Sequence, residues 1–437
     1  MLIKSILILL LTVFSLPAQS VFEEAWQEES AKSTVLHYEL NGYVRGGIYA
    51  GRISEKSGYE SKDRYGEASL KLRLRRDRCG DAYSELRFRN TNGSHRSVSS
   101  FTMREAYVSA YFGPFDLRIG QQVVQWGKAD GFNPSNVITP IDLQIFSPDE
   151  DDLRLSNFLI RSYYNQSKWR IEAIWIPIYE PSVLPFSKAK LPADVHLGNA
   201  HYPDQAIENS GLALKLHYDV ATWDGTLSYF NGSLPMPGLT ASNENSALSI
   251  YSVAYRLQMI AADFSTTLGR YGFRGEYAYR KPTEKQNMWQ TIPNEQVEYI
   301  LGVDRAFGNF NIIIQYIGKY VFDFKELIQA DQTDVDFIEY NIALWNRMLS
   351  GQLTQWNHSI SFRPAYTCCY ETFAIELLGL INFSTKEILL KPKMSYTVSD
   401  GLQFTVGAQI YHGPEDTLFG MLDEERSAGY VELKAFF

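Results

Sequence analysis

The sequence predicts an all-β protein: a transmembrane antiparallel β-barrel of about eighteen strands, with sixteen as the alternative count. Three observations predict it. Segments of roughly ten residues alternate apolar and polar with period two, the pattern by which a barrel strand shows one row to lipid and the other inward. The connections between these segments alternate between short and long. Aromatic residues reach 14% of the 437, with 28 Tyr and 25 Phe, yet the mean hydropathy is only −0.23.

The same composition excludes other classes. A helical multi-span protein needs several apolar runs of about 20 residues, and none is present beyond the N-terminus. A disordered chain would be poor in aromatic and β-branched residues. A net charge of −9 and a pI near 5.4 argue against a nucleic-acid partner, because phosphate contacts need a basic surface. Three cysteines are too few for a disulfide scaffold.

Residues 1–20 read as a secretory signal peptide: Lys4, an apolar stretch from Ile6 to Leu16, then Ala18-Gln19-Ser20. Residues 21–35 are expected to be a short periplasmic segment, and 36–437 the barrel. In the first strand Leu36, Tyr38, Leu40, Val44 and Ile48 share one face, while His37, Glu39, Asn41, Tyr43 and Arg45 share the other. The second sets Ala68, Leu70, Leu72 and Leu74 against Glu67, Lys71, Arg73 and Arg75. Phe310 to Tyr320 and Leu402 to Ile410 repeat the design. The final strand alternates Val431, Leu433 and Ala435 with Tyr430, Glu432 and Lys434. Its terminal Phe437 resembles the assembly signal of outer-membrane barrels, which makes the barrel-assembly machinery an expected partner.

Short turns are expected at Arg78-Cys79-Gly80, Gly113-Pro114, Gln166-Ser167, near Asp219-Val220, at Arg270-Tyr271, at Gly308-Asn309, around Ala365–Cys368 and at Ser399-Asp400-Gly401. Longer loops lie at 50–64, 91–100, 126–156, 178–209, 232–246, 282–294, 322–352, 382–386 and 413–427. Residues 248–268 read as one long strand. Ile338, Ile342, Trp345 and Leu349 recur at helical spacing, so a short amphipathic helix is expected in the seventh long loop.

The third long loop, 126–156, carries the sharpest pattern. It ends in the acidic run Asp149, Glu150, Asp151, Asp152. Inward positions on the first five strands include Arg45, Lys71, Arg73, Arg75, Arg87, Arg89 and Arg118, together with Glu39, Glu67, Glu85, Glu105 and Asp116. If the loop folds inward, its acids oppose those arginines and set a transverse field across a constriction. The bland alternative is a solvated outer loop that binds cations bridging lipopolysaccharide.

Arg118-Ile-Gly120-Gln121-Gln122, followed by Trp126-Gly127, then Asn133-Pro134, Pro140 and Asp142, resembles the R-x-G-R-Q-x-x-x-W-G, N-P and P-x-D pattern of a family of outer-membrane barrels without firm functional assignment. More distantly the strand is similar to that of alginate-export porins. The close likeness covers about 118–161, with Phe273 to Tyr279 as a second patch. Gln121 departs from it, standing where the family has Arg. The resemblance implies an outer-membrane channel or export pore and names no substrate.

Signatures of enzymes are missing: no G-x-S-x-G, no H-E-x-x-H, no phosphate-binding loop. No cofactor or metal is expected, since His196 and His201 alone are a weak metal signal, and Cys79, Cys368 and Cys369 read as free thiols. Trp169, Trp175, Tyr277, Tyr279, Tyr316 and Tyr320 suit aromatic girdles at the membrane boundary. The expectation is a channel in the bacterial outer membrane for small hydrophilic solutes, surrounded by lipid and lipopolysaccharide, with homo-oligomerisation left open. The competing reading is an export pore for lipid or polysaccharide, working with periplasmic partners.

Overall fold

The computed structural model describes residues 36–52, 58–93, 97–185, 195–244, 247–328 and 334–437, so the expected signal peptide at 1–20 and the segment 21–35 lie outside it. The wall begins with β1 (Leu36–Arg52), β2 (Tyr59–Arg76), β3 (Gly80–Asn92), β4 (Ser97–Phe112), β5 (Phe115–Gln122), β6 (Asn157–Asn165) and β7 (Trp169–Ile176). A three-residue strand, β8 (Val195–Leu197), stands apart from it. The wall resumes with β9 (Gly211–Val220) and β10 (Trp223–Ser233). A hairpin of β11 (Gly238–Glu244) and β12 (Ala247–Val253) follows. Then come β13 (Arg256–Leu268), β14 (Tyr271–Pro282), β15 (Gln296–Phe307), β16 (Phe310–Val321), β17 (Trp356–Cys368), β18 (Phe373–Asn382), β19 (Glu387–Ser399), β20 (Leu402–His412) and β21 (Ala428–Phe436).

These form one 18-stranded antiparallel sheet, and β21 pairs with β1 to close it. Phe437 completes the seam: its N–H donates to the Gly42 carbonyl (3.1 Å), and the Gly42 N–H donates back (2.9 Å). A Cβ at Gly42 would lie 2.8 Å from the Phe437 ring and 2.2 Å from the Ser69 carbonyl oxygen. Glycine is therefore what lets three chain segments meet at the closure. A closed sheet leaves no unpaired edge, so every strand satisfies its backbone within the wall.

The period-two reading holds along the wall. Leu40, Val44, Ile48, Leu70, Phe88, Leu227, Leu301, Ile314, Ile410 and Leu433 are exposed on the outer face. Tyr43, Arg45, Glu67, Ser69, Glu85 and Glu432 point inward and are buried. Short turns gather at one end of the barrel and long connections at the other. The turn expected around Ala365–Cys368 falls at 369–372 instead, because β17 pairs with β18 through Cys368. All three cysteines are free, and the Cys368 and Cys369 sulfurs lie 3.4 Å apart.

Two long connections have structure of their own. The stretch 248–268 is two strands rather than one. It breaks at Ala254-Tyr255, where Tyr255 turns into the interior, and its first part pairs with β11 and β8 in a separate three-stranded sheet. The barrel count is unchanged, because only β13 joins the wall. The helix in the seventh long loop, α1 (Asp334–Ser350), packs Ile338, Ile342, Trp345 and Leu349 against Leu239, Ala241 and Ile250 of that sheet. A second helix, α2 (Leu418–Arg426), lies in the last long loop.

Candidate functional site

The segment between β5 and β6 leaves the wall at Val123 and rejoins it at Asn157. Its first half is anchored by apolar packing. Val124, Trp126, Val137 and Ile138 form one buried cluster with Leu159, Ile174, Ala213, Phe230, Met259 and Ala278, which come from β6, β7, β9, β10, β13 and β14. Barrel interiors are ordinarily polar. Here the inward faces of β6, β7, β10 and β13 carry the large apolar side chains Leu159, Ile174, Phe230 and Met259, and the segment covers them. Burying each such side chain contributes about 1.5–3 kcal/mol, enough to draw the segment inward.

The conspicuous Trp126-Gly127 pair sits at the centre of this anchor. Trp126 is buried, with the Lys215 ammonium 5.4 Å above its ring. Gly127 has φ +97°, a backbone state that disfavours any side chain, and a Cβ there would lie 2.5 Å from a Glu276 carboxylate oxygen. Glu276, buried on β14, accepts from Ser135 N–H (2.7 Å), Ser135 Oγ (2.7 Å), Lys128 N–H (3.2 Å) and Ala129 N–H (3.3 Å). The neighbouring Arg280 donates to the Pro134 carbonyl.

Other residues of the pattern are structural in the same sense. Gly120, at φ +136°, lets β5 approach β4, since a Cβ would sit 2.1 Å from the Ala106 carbonyl oxygen. Gln122 donates to the Leu159 and Gly120 carbonyls. The Asn133 carbonyl accepts from Asn136, that of Pro140 from Leu155, and the Asp142 carboxylate from the Gln144 N–H. Arg118 lies on the short-turn side of the segment, bonded to Ser109 with its guanidinium 4.2 Å from the Tyr107 ring centre.

The acidic run divides by its contacts. Glu150 to Leu153 form a single 3-10 turn, and the Asp149 side chain caps it by accepting from the Asp151 N–H. Asp152 is buried and bridges two arginines of the wall, Arg45 (2.7 Å) and Arg87 (2.9 Å). Arg45 and Arg89 also reach Glu67, at 2.6 and 3.0 Å, and Arg87 reaches Glu85 at 2.8 Å, so the cluster is mutually neutralised. Burial pushes the Asp152 carboxyl up, but Arg45 and Arg87, with the Ser147 hydroxyl, outweigh it and hold the group below the usual carboxylate range. The Arg89 guanidinium also donates to the Phe146 carbonyl (2.7 Å).

Asp149, Glu150 and Asp151 face away from that cluster. They line a cavity of about 300 Å³ whose far side is formed by Arg363, Lys391 and Lys393 of β17 and β19. Lys391 pairs with Glu150 (2.9 Å) and Arg363 with Asp130 (3.1 Å), while Asp151 pairs with Arg154 (2.8 Å) on its own segment.

Three of the expected arginines are therefore not opposite the acids. Arg45, Arg87 and Arg89 meet the segment, but Arg73, Arg75 and Arg118 stand nearer the short turns. Arg75 pairs weakly with Asp77 (3.9 Å), and Arg73 lies over the Tyr83 ring. The basic side of the cavity comes from β17 and β19, strands far along the chain. Among the described residues no cluster of His, Cys, Asp and Glu could hold a metal ion.

The closed barrel has counterparts among solved structures. Pseudomonas aeruginosa OccK5 (OpdH) matches with 9% identity and a TM-score of 0.51, over 91% of this chain and 97% of that one. Acinetobacter baumannii OccAB4 matches with 9% identity and a TM-score of 0.52, over 93% and 98%. At such identity the likeness is one of fold. No curated protein matches the chain. The family described as Protein of unknown function (DUF1302) matches residues 47–321, well over half of the sequence, and the chain belongs to it.

Proposed function

We propose that the protein is a non-enzymatic channel of the bacterial outer membrane, passing small hydrophilic solutes, with the segment 123–156 as its constriction. One observation carries the reading. The segment is tied to inward-facing side chains on several sides of the barrel, through Asp152 to β1 and β3, Glu276 to β14, Arg363 to β17 and Lys391 to β19. Between it and the β17–β19 wall is an opening lined by charge of both signs. Barrels of 16 to 18 strands leave an aqueous lumen, and an inner segment of this kind narrows it.

The orientation follows from the connections: short turns toward the periplasm, long loops outward. Outward apolar rows then face lipid, with lipopolysaccharide around the long loops, and the Phe437 seam suits recognition by the barrel-assembly machinery.

The test is single-channel recording of the refolded protein in a planar bilayer. Discrete conductance steps are expected, and the triple variant D149N/E150Q/D151N is expected to shift the reversal potential toward anions. Asp152 is left intact because it holds the segment in place. A folded, heat-modifiable barrel that shows no steps overturns the open channel and turns attention to an export component that needs periplasmic partners. Steps whose selectivity is the same in the triple variant overturn the constriction.

A further inference from the structure

On the short-turn side of the inner segment, arginine and tyrosine side chains form a row across six strands. It starts on β2, where the Arg73 guanidinium lies 5.5 Å from the centre of the Tyr83 ring of β3. Tyr83 packs against Tyr107 of β4 at 5.5 Å between ring centres. Arg118 of β5 lies over Tyr107 at 4.2 Å. Directly across from Arg118 in the register is Arg161 of β6. The Tyr163 ring takes both Arg161, at 5.3 Å from its centre, and Arg170 of β7, at 5.4 Å.

Among the described residues only one of the four arginines in this row has a direct carboxylate partner. Arg161 pairs with Glu172 at 2.5 Å. Among the described residues no carboxylate forms an ion pair with Arg73, Arg118 or Arg170. The acids nearby are engaged elsewhere: Asp81 by the Tyr111 hydroxyl, Asp116 by Asn165, Glu85 by Arg87 and Glu105 by the Val123 N–H. This differs from the Arg45, Arg87 and Arg89 cluster, where each guanidinium already has a carboxylate.

A guanidinium laid on an aromatic face is held flat, with N–H donors left at its edge. That edge matches the two oxygens of a carboxylate or phosphate in a bidentate pair. Successive sites a strand apart let an oxyanion pass from one fork to the next, and the tyrosine faces between them accept an apolar body. An isolated cation on a pore wall would only bias the field. A stacked series adds recognition of shape.

Resting on the channel reading above, we infer that this Arg–Tyr row is a binding track for small solutes bearing an oxyanion, carboxylate or phosphate, and that it makes the protein selective for anions despite the chain's net charge of −9. The experiment compares the wild type with R73Q/R118Q/R170Q and R73K/R118K/R170K, each first checked for heat-modifiable folding. Reversal potentials in a potassium chloride gradient give the anion-to-cation permeability ratio. The expected result is an anion-preferring wild type, a several-fold fall in the Gln variant, and partial retention in the Lys variant, which keeps charge but loses the flat fork.

A cation-preferring wild type, or a ratio unchanged in the Gln variant, overturns the inference while leaving the channel intact. If the barrel conducts nothing, the channel reading fails, and line broadening on the detergent-solubilised protein decides the row separately. The 31P line of inorganic phosphate and the 13C carboxylate line of acetate are the two probes. Broadening of either that disappears in the Gln variant supports the row, and the probe affected names the oxyanion. Equal broadening, or none, overturns it.

Discussion

Asp152 and Glu276 hold the same segment to the same wall from opposite directions. Asp152 belongs to the segment and reaches out to Arg45 and Arg87. Glu276 belongs to the wall and reaches in to the backbone of Lys128, Ala129 and Ser135. Both are buried carboxylates, but their partners differ in kind. Asp152 is matched by full charges, so its removal takes one anion from two buried cations that keep Glu67, Glu85 and Glu432. Glu276 is matched by neutral N–H and O–H donors, so its removal strands dipoles. Charge is concentrated at one attachment and hydrogen-bond count at the other, and the two should fail differently.

The largest effect is expected at the charged attachment. Asp152→Ala leaves Arg45 with Glu67 and Glu432 and Arg87 with Glu85, so the cost lies below the figure of about 3–5 kcal/mol for a buried charge left with no partner but above that of losing neutral donors. The segment should detach on the β1–β3 side. Channel recordings should show a larger and noisier conductance, and limited proteolysis should newly cut within 140–156. Glu276→Gln should come next. The amide keeps one acceptor oxygen for Ser135 but turns an NH2 group toward the Lys128 and Ala129 donors, and losing hydrogen bonds to a charged acceptor costs about 1.5–3 kcal/mol. Proteolysis should then cut near 127–136 instead. If both variants open the same region, the attachments are one cooperative unit and the contrast between them falls.

The contrast also explains what could be read in advance. The wall was legible because each strand needs one lipid-facing apolar row, and Leu40, Val44 and Ile48 or Val431 and Leu433 display it plainly. The charged attachment was half legible: an acidic run and a set of inward arginines were visible, but not that Asp152 alone would pair with them. The basic side of the cavity was missed because Arg363, Lys391 and Lys393 lie more than two hundred residues further along the chain, and only barrel closure brings them round. Glu276 fell within the second patch, Phe273 to Tyr279, but its role was not legible, since a carboxylate whose partners are backbone amides leaves no complementary residue to search for. One signal was available. Leu159, Ile174, Phe230 and Met259 sit at inward positions where a wet lumen would have polar residues, and such positions imply something apolar inside to cover them.

A smaller effect tests why Trp126 is followed by glycine. Gly127→Ala places a methyl group against the Glu276 carboxylate and forces a non-glycine residue to φ near +97°. Strain of this kind costs about 1–3 kcal/mol. The segment should stay attached at Asp152 and loosen only at its β14 side, giving the proteolytic pattern of Glu276→Gln in weaker form. The double variant Gly127→Ala with Glu276→Gln should be less destabilised than the sum of the two, because the clash and the lost bonds concern the same oxygens. Full additivity would show that Gly127 serves some other contact.

The smallest effect under ordinary conditions is that of pH, and its sign follows from Asp152. The folded carboxyl titrates below the usual carboxylate range, because Arg45 and Arg87 outweigh its burial. A depressed group contributes stability that is fully present above its unfolded pKa of about 3.9 and is lost as pH falls through the folded value. Between pH 8 and about pH 4, conductance should therefore hold steady with respect to this attachment. Below that range the segment should release in acid, reproducing the large, noisy conductance of Asp152→Ala. In Asp152→Asn, where nothing remains to protonate at that site, the acid transition should be absent and the loosened state present throughout. An acid transition that persists in Asp152→Asn would place the titrating group elsewhere, and the attachment at β1 and β3 would then depend on the surrounding Glu67 and Glu85 rather than on the segment's own carboxylate.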